Sequence, residues 1–296
     1  MRRLIPLVVA GAILTAACAG NGGPDDGLTI VTTTSILGDV AAHIVGAHGS
    51  VEVLVPTGAD PHDYQPSARE IAALQRADLV IAIGLGLEEG LVAALDAAAG
   101  DGVRVLETAP ALDPLPFAGS SDLDPHVWMD PLRMGTAARL IADELTAVAP
   151  SPDWAEAAEA YAADLMEAHT SIQALVEAIP EERRTLVTNH DSLGYFADRY
   201  GFTVAGVVIP GGSTLAEPSS SGLTRVVAVI DELGLPAIFA ETASPAQLAA
   251  AVAAEAEHDV AVVELFIGSL GAPGTGAESL IGMLVTDAER ISAALR

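Results

Sequence analysis

Lysine is absent from the chain, and cysteine occurs once, at Cys18. A single thiol excludes an intrachain disulfide, even in a compartment that would permit one. Basic residues are scarce: 13 arginines face 40 Asp and Glu, for a formal charge of −27. Nucleic acid is excluded as a partner, because phosphate backbones are bound by basic surface. Docking on anionic lipid headgroups is excluded for the same reason. Aromatic residues make up only 4% of the chain, and much of the 51% apolar share is alanine. The acidity is therefore not that of a disordered tail, which needs low hydrophobicity as well as high charge. Arginine as the sole strong base reads as codon bias of a GC-rich genome. What remains is a globular chain of 296 residues, long enough for one or two domains with a proper core.

No apolar run reaches the ~20 residues a membrane helix needs. The longest at the N-terminus, Leu4–Ala17, follows Met1-Arg2-Arg3, the charged start and short apolar core of a signal peptide. It ends in Leu14-Thr15-Ala16-Ala17-Cys18. Small residues before a lone cysteine look like a lipobox, although Thr15 stands where leucine is preferred and Leu14 lies one place early. Residues 1–17 are expected to be removed and Cys18 to carry lipid, which anchors the protein outside the cytoplasmic membrane. Without lipid on Cys18 the protein would be secreted or periplasmic. Residues 18–27, with Asn21-Gly22-Gly23-Pro24-Asp25-Asp26-Gly27, read as a polar tether.

Beyond the tether, strand-like runs alternate with amphipathic segments. The runs are Leu28–Thr34, Val51–Pro56, Leu79–Gly84 and Val103–Glu107, then Thr185–Asn189, Val204–Ile209, Ala237–Glu241 and Val260–Leu265. Helical patterns fall at Ser35–Gly46, Ala68–Arg76, Leu223–Leu233 and Pro245–Glu257. Such alternation predicts α/β lobes with mostly parallel sheets. Between the two series Ser151–Ile179 carries an apolar stripe of Trp154, Tyr161, Leu165, Ile172, Leu175 and Ile179, the period of one long helix. The predicted architecture is an N-terminal lobe (28–150), a linking helix (151–180) and a C-terminal lobe (181–296).

Of seven histidines, His43 and His169 fall near apolar helix faces and read as packing, while His48 and His258 read as solvated. His62, His126 and His190 differ in context. His62 and His126 each close an Asp-Pro-His triplet, and His190 follows the strand Thr185–Asn189. Loops beyond the carboxyl ends of parallel strands are where ligands bind. Asp63, Asp124, Asp130 and Asp191 lie beside these histidines and are placed to accept the second N–H of a metal-bound imidazole. Spacing alone does not show that the three converge.

The segments Gly58–Pro66, Asp124–Pro131 and Thr188–Phe196 resemble, in order, the three ligand motifs of the zinc/manganese-binding family of ABC-transporter solute-binding lipoproteins. The resemblance covers residues 28–296. It implies two lobes, a rigid linking helix and a metal in the cleft, held by His62 and His126 from the first lobe and His190 from the second. The family commonly adds an Asp after the last strand, where this chain has Gly268. Glu241, at the end of its strand, is expected as the substitute; water, Glu264 or Asp60 are the alternatives. Three imidazoles suit Zn²⁺, whereas Mn²⁺ prefers more oxygen ligands, so zinc is expected ahead of manganese. The segment Ala109–Asp122 has no histidine, so the metal-gathering loop of some zinc members is absent.

The function implied by the resemblance is capture of a divalent metal by a monomer and delivery to an ABC permease with its ATPase, without catalysis. A zinc hydrolase with an open three-histidine site is the competing class, with Glu241 as base. Against it, no His-Glu-x-x-His or nucleophile motif is found. A surface lipoprotein with a purely structural metal is the third reading.

Overall fold

The computed structural model describes residues 27–296 other than 152 and 245. The expectations for the signal segment and Cys18 lie outside the described residues. The first lobe begins with β1 (Leu28–Thr32), α1 (Ser35–Val45), β2 (Gly49–Val53), α2 (Ala68–Leu74), β3 (Leu79–Ala82), α3 (Val92–Gly100) and β4 (Val105–Glu107). Helix α4 (Pro131–Val148) then leads into the long α5 (Asp153–Glu177). The second lobe comprises β5 (Thr185–His190), α6 (Gly194–Tyr200), β6 (Thr203–Ile209), α7 (Ser220–Leu233), β7 (Ala237–Glu241), α8 (Gln247–Ala254), β8 (Ala261–Leu265) and α9 (Leu280–Leu295).

Each lobe holds one four-stranded sheet with every pairing parallel, in the orders β2-β1-β3-β4 and β6-β5-β7-β8. Parallel strands need crossover helices, which cover both faces and leave the central strands buried. β3 is accordingly four apolar residues, all inaccessible, and β7 is buried along its length. Polar side chains start five of the helices. Thr34 accepts from Leu37 N ahead of α1, Asp130 caps α4 with Pro131 behind it, and Ser219 and Ser279 cap α7 and α9. Ser67 and Glu70 form a reciprocal capping box on α2.

Helix α5 spans about 37 Å at 1.5 Å per residue. Its buried face is Trp154, Ala158, Tyr161, Ala162, Leu165, Ala168, Ile172 and Val176. Leu175 is only half-buried and Ile179 is buried beyond the helix end, so the stripe predicted from sequence drifts by one position in its last turn. Gly135 in α4 lets the two helices approach closely, since a Cβ there would lie 3.4 Å from Ala162 Cβ. One continuous core runs along α5 from Ile30 and Trp128 in the first lobe to Phe239 and Ile267 in the second. The outer faces of the two sheets have separate cores, around Val80 and Leu91 and around Ile238 and Val226. A shared inner core fastens both lobes to the same rod.

His43 and His169 pack against tyrosines, as their helical positions suggest. His43 is half-exposed, leaning on Tyr161 with ring centroids 4.6 Å apart. His169 is partly buried and packs on Tyr200, with its Nδ1 3.2 Å from the hydroxyl. Neither ring is part of the core proper, because each sits at the rim of its helix face. Several strands are shorter than their apolar runs. β1 and β3 end at Thr32 and Ala82, since the residues that follow bend into the cleft loops.

Candidate metal centre

Each histidine is presented by a local device that the sequence encodes. In both Asp-Pro-His triplets the aspartate folds back on the histidine: Asp60 Oδ1 accepts from His62 N and Asp124 Oδ1 from His126 N, each at 2.9 Å. This is the Asx turn, in which proline restrains the backbone and the carboxylate satisfies an otherwise orphaned N–H. His62 lies in the loop after β2, and His126 precedes a single 3-10 turn, Val127–Met129. His190 is the last residue of β5. Its neighbour strand β7 ends in Glu241, and the pairing Thr188 with Phe239 two residues earlier brings the two ends level.

The structure brings His62, His126 and His190 together. One ligand atom from each lies within 4.8 Å of the others, and the rings are 1–2% exposed. The Nε2 atoms of His126 and His190 are 3.1 Å apart. Two nitrogens on one tetrahedral zinc at 2.0–2.1 Å are about 3.4 Å apart, so this pair stands close to coordinating separation. Glu241, expected as a fourth ligand, is not among the three clustered groups. Its Oε1 lies 2.7 Å from His190 Nδ1, on the far side of that ring, and accepts from Ser244 Oγ at 3.2 Å. Its Oε2 fills the space beside Gly268: a Cβ at 268 would come within 2.9 Å of it.

The neighbouring carboxylates divide differently from expectation. Asp124 Oδ1 lies 2.7 Å from His126 Nδ1, which leaves Nε2 facing the cluster. Asp130 caps α4 and pairs with Arg199 at 2.6 Å instead of with His126. No contact of Asp63 or Asp191 with a histidine is found among the described residues. Glu241 takes the place beside His190 that the sequence suggested for Asp191. Glu241 reaches that place from an adjacent strand, which local sequence spacing does not reveal.

Burial sets the protonation states. It pushes His62 down to about 3, helped by the charges of His126 and His190, and holds His126 well below its ordinary value. It pushes the Asp124 carboxyl up to about 7. For His190 burial favours the neutral form too, but the Glu241 carboxylate outweighs it and raises the value. For Glu241 burial acts upward, and the attraction of His190 wins and lowers it. Two imidazoles are thus held neutral, the state in which nitrogen can ligate.

The two lobes meet around this cluster. Trp128 Nε1 donates to Ile267 O at 2.8 Å, and its ring stands edge-on to His126 at 5.2 Å. Ser269 Oγ accepts from Gly58 N at 2.7 Å and lies 3.3 Å from Ser35 Oγ. Tyr195 donates to Asp124 O and Thr214 to Asp60 Oδ2, both at 2.6 Å. Among the described residues no helix is long and apolar enough to cross a membrane.

Fold and site together define a class: a two-lobed α/β binding protein with a buried three-histidine centre between lobes joined by a rigid helix. The chain belongs to the zinc-uptake complex component A periplasmic family, whose model matches residues 30–294. It is 36% identical over 286 residues to the manganese-binding lipoprotein MntA of Halalkalibacterium halodurans, covering 94% of this chain and 93% of that one. It is 31% identical over 305 residues to the zinc-binding protein TroA of Treponema pallidum, covering 99% and 98%. The solved structure of that periplasmic zinc-binding TroA superposes with a TM-score of 0.85 at 29% identity, covering 91% of this chain and 99% of the other.

Proposed function

We propose that the protein is the extracytoplasmic metal-capturing component of an ABC importer, a binding protein and not an enzyme. It takes one divalent transition metal, zinc in preference to manganese, on His62, His126 and His190. It then delivers the ion to a permease driven by its ATPase. The observation that carries this reading is the convergence of three buried imidazoles, two held neutral by burial, from two loops of the first lobe and a strand end of the second. Three nitrogen donors and no clustered carboxylate favour zinc over manganese. The relatives include a manganese-binding and a zinc-binding protein, so the preference rests on this chain's donors.

Glu241 is the fourth protein group of the site. With Oε1 against His190 Nδ1 it orients that ring, and water completes the coordination. Lipid on Cys18 tethers the domain, as a monomer, beside its permease. Closure of the cleft around metal is supported by the hydrogen bonds that already span it at Trp128, Ser35 and Tyr195.

The test is titration of purified, chelator-stripped protein with Zn²⁺ and with Mn²⁺, following heat and bound metal. One zinc per chain that manganese cannot displace, lost in His62→Ala, His126→Ala and His190→Ala, is the expected result. Absence of zinc uptake removes the capture reading. Turnover of an activated ester by the zinc-loaded protein revives the hydrolase reading.

A further inference from the structure

Two of the three histidines have a carboxylate at Nδ1, Asp124 for His126 and Glu241 for His190, both at 2.7 Å. His62 breaks the pattern. Its Nδ1 is buried, in a side chain 3% exposed. Among the described residues neither it nor His190 Nδ1 has a partner in hydrogen-bond geometry, but His190 Nδ1 has Glu241 within 2.7 Å, whereas His62 Nδ1 has no carboxylate that close. A buried imidazole N–H without an acceptor is costly and calls for an explanation. The nearest acid is Glu89, whose Oε1 stands 4.0 Å away. Unlike Asp124 and Glu241, Glu89 is 42% exposed, so it occupies the solvent side of the centre.

The backbone under Glu89 is held firmly against the His62 loop. Its neighbour Glu88 is fully buried and accepts from Thr33 Oγ1 and Ile83 N at 2.7 Å and from Gly84 N at 3.1 Å. On the other side Gly90 abuts Tyr64: a Cβ on Gly90 would lie 2.2 Å from Tyr64 O. Any larger residue at 90 would separate the two loops. The 1 Å or so that Glu89 must travel to bond His62 is therefore side-chain rotation alone, with the chain already in place.

We infer that Glu89 is the third positioning carboxylate of the centre: it accepts the Nδ1–H of His62 when metal occupies Nε2, and its exposed contact controls how fast the metal leaves. Metal on one imidazole nitrogen makes the opposite N–H a stronger donor, and a carboxylate there fixes the tautomer and strengthens the bond. Asp124 and Glu241 make their contacts from buried positions. Glu89 makes its contact last, from solvent, and breaks it first. The inference rests on the reading that the three histidines hold the metal.

The experiment compares the full chain with Glu89→Ala, Glu89→Gln and His62→Ala. Zinc affinity is read against a chromophoric chelator, the release rate by stopped flow, and the His62 tautomer by ¹⁵N-edited imidazole spectra of the zinc-loaded protein. Glu89→Ala is expected to weaken zinc roughly tenfold to a hundredfold. The loss appears mainly as faster release, with the melting temperature of the metal-free protein unchanged. Glu89→Gln keeps an acceptor oxygen and restores most of the affinity. In the wild type the His62 proton sits on Nδ1, with the low-field shift of a carboxylate-bonded N–H. If Glu89→Ala leaves affinity, release and the His62 spectrum as in wild type while His62→Ala abolishes binding, the inference about Glu89 fails and metal capture stands. If the wild type takes up no zinc, both fail.

Discussion

Asp124 tests most sharply how the centre is built, because one oxygen does two things. Its Oδ1 accepts from the backbone N of His126 at 2.9 Å and meets the ring Nδ1 at 2.7 Å, in a residue 2% exposed. Asp124→Ala removes both contacts. The orphaned buried N–H costs about 1–3 kcal/mol of stability, a fall of roughly 2–4 °C in Tm per kcal/mol for a chain of this size. Loss of the partner behind a ligating imidazole costs a further tenfold to hundredfold in metal affinity, or about 1.4–2.7 kcal/mol. Asp124→Asn separates the two, since its carbonyl oxygen retains both contacts without the charge. The sign of the pH effect makes the separation measurable. Burial raises the Asp124 carboxyl to about 7, so the folded metal-free chain holds a proton that the unfolded chain releases near 4. The stability from this group is present in acid and declines as pH rises from about 4 through 7. Asparagine escapes that decline. At pH 8 the metal-free Asp124→Asn protein is expected to melt no lower than wild type, yet to bind zinc more weakly. Calorimetry on the metal-free proteins and chelator competition on the loaded ones are the assays. An Asp124→Ala protein with wild-type zinc affinity refutes the reasoning.

Three further outcomes follow from other parts of the molecule. Gly268→Asp puts a Cβ 2.9 Å from Glu241 Oε2, which disturbs the Glu241–His190 contact and adds an oxygen donor. Competitive titration is expected to show manganese gaining on zinc, and an unchanged ratio contradicts this. Asp287 is buried in α9, where Oδ1 accepts from Phe266 N at 2.9 Å, Oδ2 has no partner among the described residues, and burial raises the carboxyl to about 7. Its stabilisation is likewise lost as pH climbs from about 4 to 7, so Asp287→Asn should flatten the melting profile across that range; a parallel profile contradicts it. Cys18→Ser, expressed from the full gene, is expected to move the protein from the membrane fraction to the soluble one, whereas retention in the membrane disproves the lipid tether.

Much of the architecture is legible in the residues because periodicity is a local signal. The alternation of β-branched runs with amphipathic segments marks all eight strands, with bounds that agree to within three residues. The stripe on α5 shows for the same reason. The short α6 and the alanine-rich α3 carry little periodic signal, and they, α4 and α9 are not among the predicted helical segments. At the centre, Asp-Pro-His is readable because the Asx turn is contained within three residues. Pairings between side chains distant in sequence are not readable in this way. Asp130 sits four residues from His126 but turns to Arg199, whereas Glu241 reaches His190 from the neighbouring strand. Glu89 lies near His62 only because Gly90 lets two loops touch. Strand order and loop docking decide such contacts, and neither leaves a pattern along the chain.

X-ray absorption at the zinc edge of the loaded protein examines the centre most directly. Capture by His62, His126 and His190 with water completing the shell predicts three imidazole nitrogens and one oxygen at about 2.0–2.1 Å, with one imidazole lost in each His→Ala variant that still holds metal. A shell of two imidazoles or fewer in the wild type, or a shell unaltered by all three substitutions, contradicts the assignment.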